Sequence, residues 1–208
     1  MALITVSAAE GAERMVADEL DELLLDRFNM HRSDLIAALK TLPGQRPWAA
    51  TLTADQADLL DAAGFTEDAD AYTQIAADVT AHMARLYATA YTAAEIKDGL
   101  GVSDSRVRQR RLANTLWAID EGGAWVYPAL QFKTDRRGRL TQIPHLDHVL
   151  PALLALGLHP TAVAQSLVTP QPELMIAGEP TSVRNWLLHG EPVEPVLALI
   201  EAGDWSAR

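Results

Sequence analysis

The chain has 208 residues, with 17 Lys and Arg against 28 Asp and Glu, and a net charge of −11. Its 49% hydrophobic and 22% charged residues are the balance of a folded protein and exclude wholesale disorder. The absence of cysteine excludes disulfides, thiolate metal sites and cysteine nucleophiles.

The first ten residues lack the basic flank and long apolar core of a signal peptide, and with the missing cysteines this points to the cytoplasm. Val16, Leu20, Leu23, Leu24 and Phe28 recur at helical spacing on an acidic background, which predicts an amphipathic helix ending near Asn29. Ser33 is a plausible cap for a second helix carrying Leu35, Ile36, Leu39 and Leu42, stopped by Pro43 and Gly44. Thr53 and Gln56 have the spacing of a capping box, and Gly64 closes the short helix that follows. Residues 67–90, capped by Thr66, carry Tyr72, Ile75, Val79, Met83 and Leu86 as an apolar stripe, read as helix core or dimer seam.

The charge is unevenly spread. Residues 1–91 hold 6 basic and 15 acidic groups, residues 92–140 hold 9 and 6, and residues 141–208 hold 2 and 7. A basic island between acidic flanks suits a polyanion in the middle and other partners outside it. Within the island, Thr92 and Glu95 form a second capping box, and the helix they open buries Ile96 and Leu100. Gly101 supplies the positive φ of a tight interhelical turn, Val102 fills the angle, and Ser103 caps the next helix. Four arginines follow within six positions: Arg106, Arg108, Arg110 and Arg111.

The segment from Glu95-Ile96 through Leu100-Gly101-Val102-Ser103 to Val107 resembles the bihelical unit of helix–turn–helix DNA-binding proteins. It departs from that pattern at Lys97, where the family places a small residue and a lysine must snorkel outward. The resemblance implies that Val107 anchors the second helix. Ser105, Arg106, Arg108 and Gln109 would then face the bases, with Ser103, Arg110 and Arg111 on phosphates. Residues 116–119 and 124–127 read as strands around a glycine-rich turn, the layout of a winged helix, with Pro128 ending the second strand or sitting at an edge. Beyond them, Lys133, Arg136, Arg137 and Arg139 crowd around Asp135 and Gly138 in an apparent loop, either reaching DNA or simply solvated.

Residues 148–172 carry no Asp, Glu, Lys or Arg, but Pro151, Gly157, Pro160 and Pro170 interrupt them. They read as two short buried helices rather than a membrane span. Further helices are expected around residues 181–188, capped by Thr181, and 192–202. Together with the Tyr127–Phe132 run and His159-Pro160, the sequence Trp186-Leu187-x-x-Gly190 before an apolar helix is similar to helix–turn–helix antitoxins of the Xre/ParS-like group. That resemblance covers about residues 92–203. It implies neutralisation of a co-expressed toxin, autorepression of the operon, and toxin contacts at Trp186, Leu187, Val196 and Ile200. The alternative is a stand-alone dimeric regulator without a toxin.

His145 and His148, with Asp147 between them, lack the further ligands a metal site needs. No P-loop, dinucleotide fingerprint or His-Glu-x-x-His motif is present, so neither an enzyme nor a cofactor is expected. The expectation is a mainly α protein: a helical region (1–50), a helical connector (51–91), a winged helix–turn–helix (92–140) and a helical C-terminal module (141–208). It is read as a cytoplasmic homodimer whose partners are its own operator DNA and a toxin. The N-terminal helices or the 67–90 helix would form the dimer seam.

Overall fold

The computed structural model describes residues 19–42, 53–64, 69–121, 123–135 and 138–203. The chain is mostly helical with small antiparallel sheets, and it divides into two compact units, residues 1–88 and 89–208. No helix among the described residues is long and apolar enough to cross a membrane.

The first unit holds α1 (19–28), α2 (Arg32–Lys40), α3 (Ala54–Ala62) and α4 (Ala69–Ala88). α2 packs against α4, where Ala38, Met83 and Ala84 are wholly buried. The start of α2 differs from the expected Ser33 cap. His31 takes that position because the Asp34 carboxylate accepts its backbone N–H at 2.8 Å, starting the helix two residues earlier. Thr53 and Gln56 do cap α3 reciprocally, at 3.0 and 3.3 Å. The apolar stripe of α1 is only partly interior: Leu24 is buried, whereas Leu20, Leu23 and Phe28 are exposed, as is Ile75 on α4. The expectations placed on Val16, Pro43, Gly44, Thr66 and Glu67 lie outside the described residues.

The second unit opens with β1 (Tyr91–Thr92), α5 (Ala93–Leu100) and α6 (Asp104–Leu112), followed by β2 (Ile119–Glu121) and β3 (Ala124–Tyr127). The strands form one antiparallel sheet in the order β1-β3-β2, with Thr92 and Ile119 both opposite Val126. Local chemistry sets each junction. The Glu95 carboxylate accepts the Thr92 N–H at 2.7 Å, and that bond, then the Thr92 hydroxyl, holds its pKa below the ordinary value. Gly101 sits at φ 65°, a left-handed conformation that a side chain would strain. The Ser103 hydroxyl accepts the Arg106 N–H at 3.2 Å to start α6.

A short 3₁₀ turn (Ala129–Gln131) leads into β4 (Phe132–Thr134) and β5 (Leu140–Gln142), an antiparallel pair where a loop was expected. The reason is packing: Ile96, Val107, Leu116, Tyr127 and Phe132 form one buried cluster, and Leu140 closes on it with Tyr91, Leu100, Val102 and Ala118. Gly99 permits this approach, since a Cβ there would lie 3.0 Å from that of Leu140.

The chain continues with α7 (Leu146–Ala155), α8 (Pro160–Val168), β6 (Pro170–Ile176), β7 (Glu179–Ser182), α9 (Val183–His189) and α10 (Glu194–Glu201). The β6–β7 hairpin corrects the all-helical expectation for residues 141–208. Ala177 and Gly178 turn the chain with φ of 54° and 88°, which suits a two-residue hairpin, and Leu174 points into the core. Ser182, not Thr181, then caps α9 by accepting the Asn185 N–H at 3.2 Å.

His159 caps α8. Its Nδ1 accepts the Thr161 N–H at 3.4 Å, and burial lowers its pKa. A base depressed in the folded state is protonated first in the unfolded chain, near its ordinary pKa of about 6.5. The His159 share of stability is therefore complete above that pH and is lost as the pH falls below it. Urea unfolding at pH 7.5 and pH 5 should show a larger loss for wild type than for His159→Asn, whose amide caps without titrating. Equal losses would remove His159 as the source.

Candidate functional site

α6 carries the densest group of cations, and the core fixes which of its faces is open. Val107 is buried at 3% exposure, which leaves Ser105, Arg106, Arg108 and Gln109 exposed, with Arg110 and Arg111 half-buried. At 100° per residue, Arg106, Gln109, Arg110 and Ala113 share one flank of the helix, and Arg108 and Arg111 lie on the other. The first flank borders an open cleft of about 490 Å³, completed by Val102, Thr115 and Asp147. The second faces the β2–β3 hairpin, where the Arg111 guanidinium lies 3.9 Å over the centre of the Trp125 ring.

Pairing separates these cations. Lys97 snorkels to Asp98 and Asp104, at 3.8 and 3.9 Å, so the departure from a small residue is accommodated by charge at the helix start. Arg110 donates to the Gln142 side chain, whose amide in turn donates to the Thr115 carbonyl at 2.8 Å. Burial lowers the Arg110 pKa, and the nearby Asp147 carboxylate opposes that shift. Arg139 is held by Asp135, with Nε and Nη2 each 2.8 Å from one carboxylate oxygen. Arg106, Arg108 and Gln109 have side chains with no hydrogen bond or ion pair among the described residues. In a chain of net charge −11 these uncompensated donors stand out.

The other expected residues fall elsewhere. The Ser103 hydroxyl is engaged in the cap and lies 2.9 Å from that of Ser105. Lys133 is half-buried on β4, and Arg136 and Arg137 lie outside the described residues. Trp186, Leu187, Val196 and Ile200, expected to grip a partner, are all buried, at 8% exposure or less. They are core side chains: the Trp186 indole donates to the Pro192 carbonyl at 2.7 Å, folding the chain after Gly190 back onto α9. Their apolar pattern reflects packing of α9 and α10, not an open contact surface. His145 and His148 have ring centres 6.0 Å apart, and no group of three metal-ligating side chains occurs among the described residues.

No family model matches the chain, and no curated protein matches it. Among solved structures, the NMR structure of Rv2175c is similar at 23% identity and a TM-score of 0.39, with 54% of this chain and 79% of that chain covered. A likeness at that level carries no function across.

Trp125, Gln142 and Asp147 are neighbours of the α6 arginines that no motif in the sequence points to. Gln142 and Asp147 lie some 30 or more residues beyond α6 in the chain, and no local spacing marks them. Trp125 had a signal: an aromatic residue beside the hairpin turn, on the strand expected to lie next to the basic helix.

Proposed function

We propose that the protein is a dimeric, sequence-specific DNA-binding transcription regulator. In this reading α5 and α6 are a helix–turn–helix, α6 enters the major groove, and the β2–β3 hairpin is a wing. The observation that carries it is the exposed, unpaired set Arg106, Arg108 and Gln109 on a helix held rigidly by buried Val107. Arginine presents a fork of donors that fits guanine O6 and N7, and the glutamine amide fits adenine N6 and N7. Capping by Ser103 and the left-handed turn at Gly101 fix the angle at which the helix is offered.

Toxin neutralisation rests on the antitoxin resemblance. Its four assigned contacts are core residues, so the regulator reading, which asks nothing of them, is preferred. The net negative charge outside the basic island limits non-specific binding to DNA and leaves recognition to α6 and its surroundings.

Selection from a pool of random duplexes tests the proposal. It should enrich two-fold-related half-sites about one helical turn apart, roughly 34–36 Å, with binding that weakens as salt rises. Recovery of no motif would overturn it.

A further inference from the structure

We infer that Arg111 and Trp125 form a built phosphate contact, with Trp125 as the positioning residue that holds the Arg111 guanidinium for the nucleic-acid backbone. This rests on the DNA-binding reading and adds to it a site on the hairpin side of α6.

Three observations support it. First, the guanidinium carbon lies 3.9 Å over the indole centre, a cation–π contact across two elements, α6 and β3. Second, a contact with a ring face uses none of the arginine's N–H donors. No hydrogen bond or ion pair among the described residues takes up those donors. The contrast with Arg139, which is held by Asp135, shows what a spent arginine looks like in this chain. Third, Trp125 is 38% exposed, so the ring serves as an open platform rather than as core filling, while its neighbours Val126 and Tyr127 are buried.

The acceptor that fits is a phosphodiester oxygen. A flat guanidinium held against a ring offers two parallel donors, the geometry that matches phosphate. The hairpin is itself fixed: Asp120, opposite Trp125 in the β2–β3 register, accepts the Gly123 N–H at 2.7 Å and holds the turn. The contact therefore sets a defined distance between the edge of α6 and the hairpin. A groove-reading helix needs such a distance to keep its register on the duplex.

The test uses the full chain and a duplex that it binds, in salt-titrated binding assays. Arg111→Ala should weaken binding and reduce the slope of log K against log salt by about one, the signature of one lost phosphate contact. Trp125→Ala should reproduce most of that change with Arg111 still present, and Trp125→Phe, which keeps a ring face, should restore it. In the Arg111→Ala background Trp125→Ala should have no further effect on the slope. A wild-type slope in Trp125→Ala or in Arg111→Ala, in a protein with wild-type thermal unfolding, overturns the inference. If Trp125→Ala unfolds, Arg111→Ala decides alone, because an arginine on the helix surface is replaced without a buried void. Loss of binding in Arg106→Ala/Arg108→Ala alongside an unchanged Arg111→Ala slope would sink this contact and keep the DNA reading. Wild-type binding by all the variants would sink both.

Discussion

Replacing Arg106 and Arg108 together with alanine is expected to lower affinity for the selected duplex by about thirtyfold or more. Each bidentate arginine–guanine contact discriminates by about 1–3 kcal/mol, and loss of two such contacts spans roughly 2–6 kcal/mol. The helix itself should survive. Both side chains are exposed, neither has a hydrogen bond or ion pair among the described residues, and alanine favours helix at both positions. Thermal unfolding should therefore stay near wild type while binding collapses and sequence preference relaxes. A double variant that binds as tightly as wild type in a salt-titrated shift assay would remove α6 as the recognition element.

The largest expected effect on stability lies at Gln131, which is wholly buried. Its side-chain carbonyl accepts the Trp117 N–H at 2.9 Å, and its amide donates to the Trp117 carbonyl at 2.7 Å and the Pro128 carbonyl at 3.3 Å. One side chain thus completes the backbone of the segment leading into β2 as a neighbouring strand would. Removing it strands buried backbone groups at about 1–3 kcal/mol each, beyond the void left by the truncation. Gln131→Ala should therefore lose roughly 3–5 kcal/mol in urea unfolding. Gln131→Leu, which fills the space but pairs nothing, should recover little of that. A loss below about 1 kcal/mol in both variants would show that Trp117 finds other partners. Because Trp117 precedes the hairpin carrying Trp125, a milder substitution at Gln131 should loosen the hairpin before it loosens α6.

How much of this was legible in the sequence depended on range. The Thr92–Glu95 capping box, the left-handed Gly101 and the Ser103 cap are local devices, each written within about four residues, and the structure has all three. Val107 as anchor is what the helix–turn–helix resemblance implies, and its side chain is buried; α7 and α8 follow from the uncharged stretch and the prolines and glycine that interrupt it. Where a segment's partners lie far along the chain, local spacing does not reveal them. The run from Lys133 to Arg139 reads as a basic loop, solvated or reaching DNA, yet Phe132 and Leu140 at its ends pack on the α5–α6 core and bring β4 and β5 together. The β6–β7 hairpin hides behind prolines and a bulge between Gln171 and Met175 that breaks strand alternation. The antitoxin resemblance makes the apolar run of α9 and α10 a partner surface, but an apolar helix face does not say what covers it. In the folded chain Val163, Leu167 and Leu174 are buried along with it.

By itself, then, the sequence determined the helical class, the capped turn between α5 and α6, and the concentration of positive charge in residues 92–140 of an acidic chain. These follow from dihedral preference, hydrogen bonds between near neighbours, and formal charge, none of which needs the rest of the molecule. Only the tertiary structure decided which of those charges are free. Asp135 claims Arg139, Gln142 claims Arg110, the Trp125 ring holds Arg111, and Arg106 and Arg108 are left exposed. An ion pair or a ring contact depends on distances of a few ångströms between atoms, and folding sets those distances.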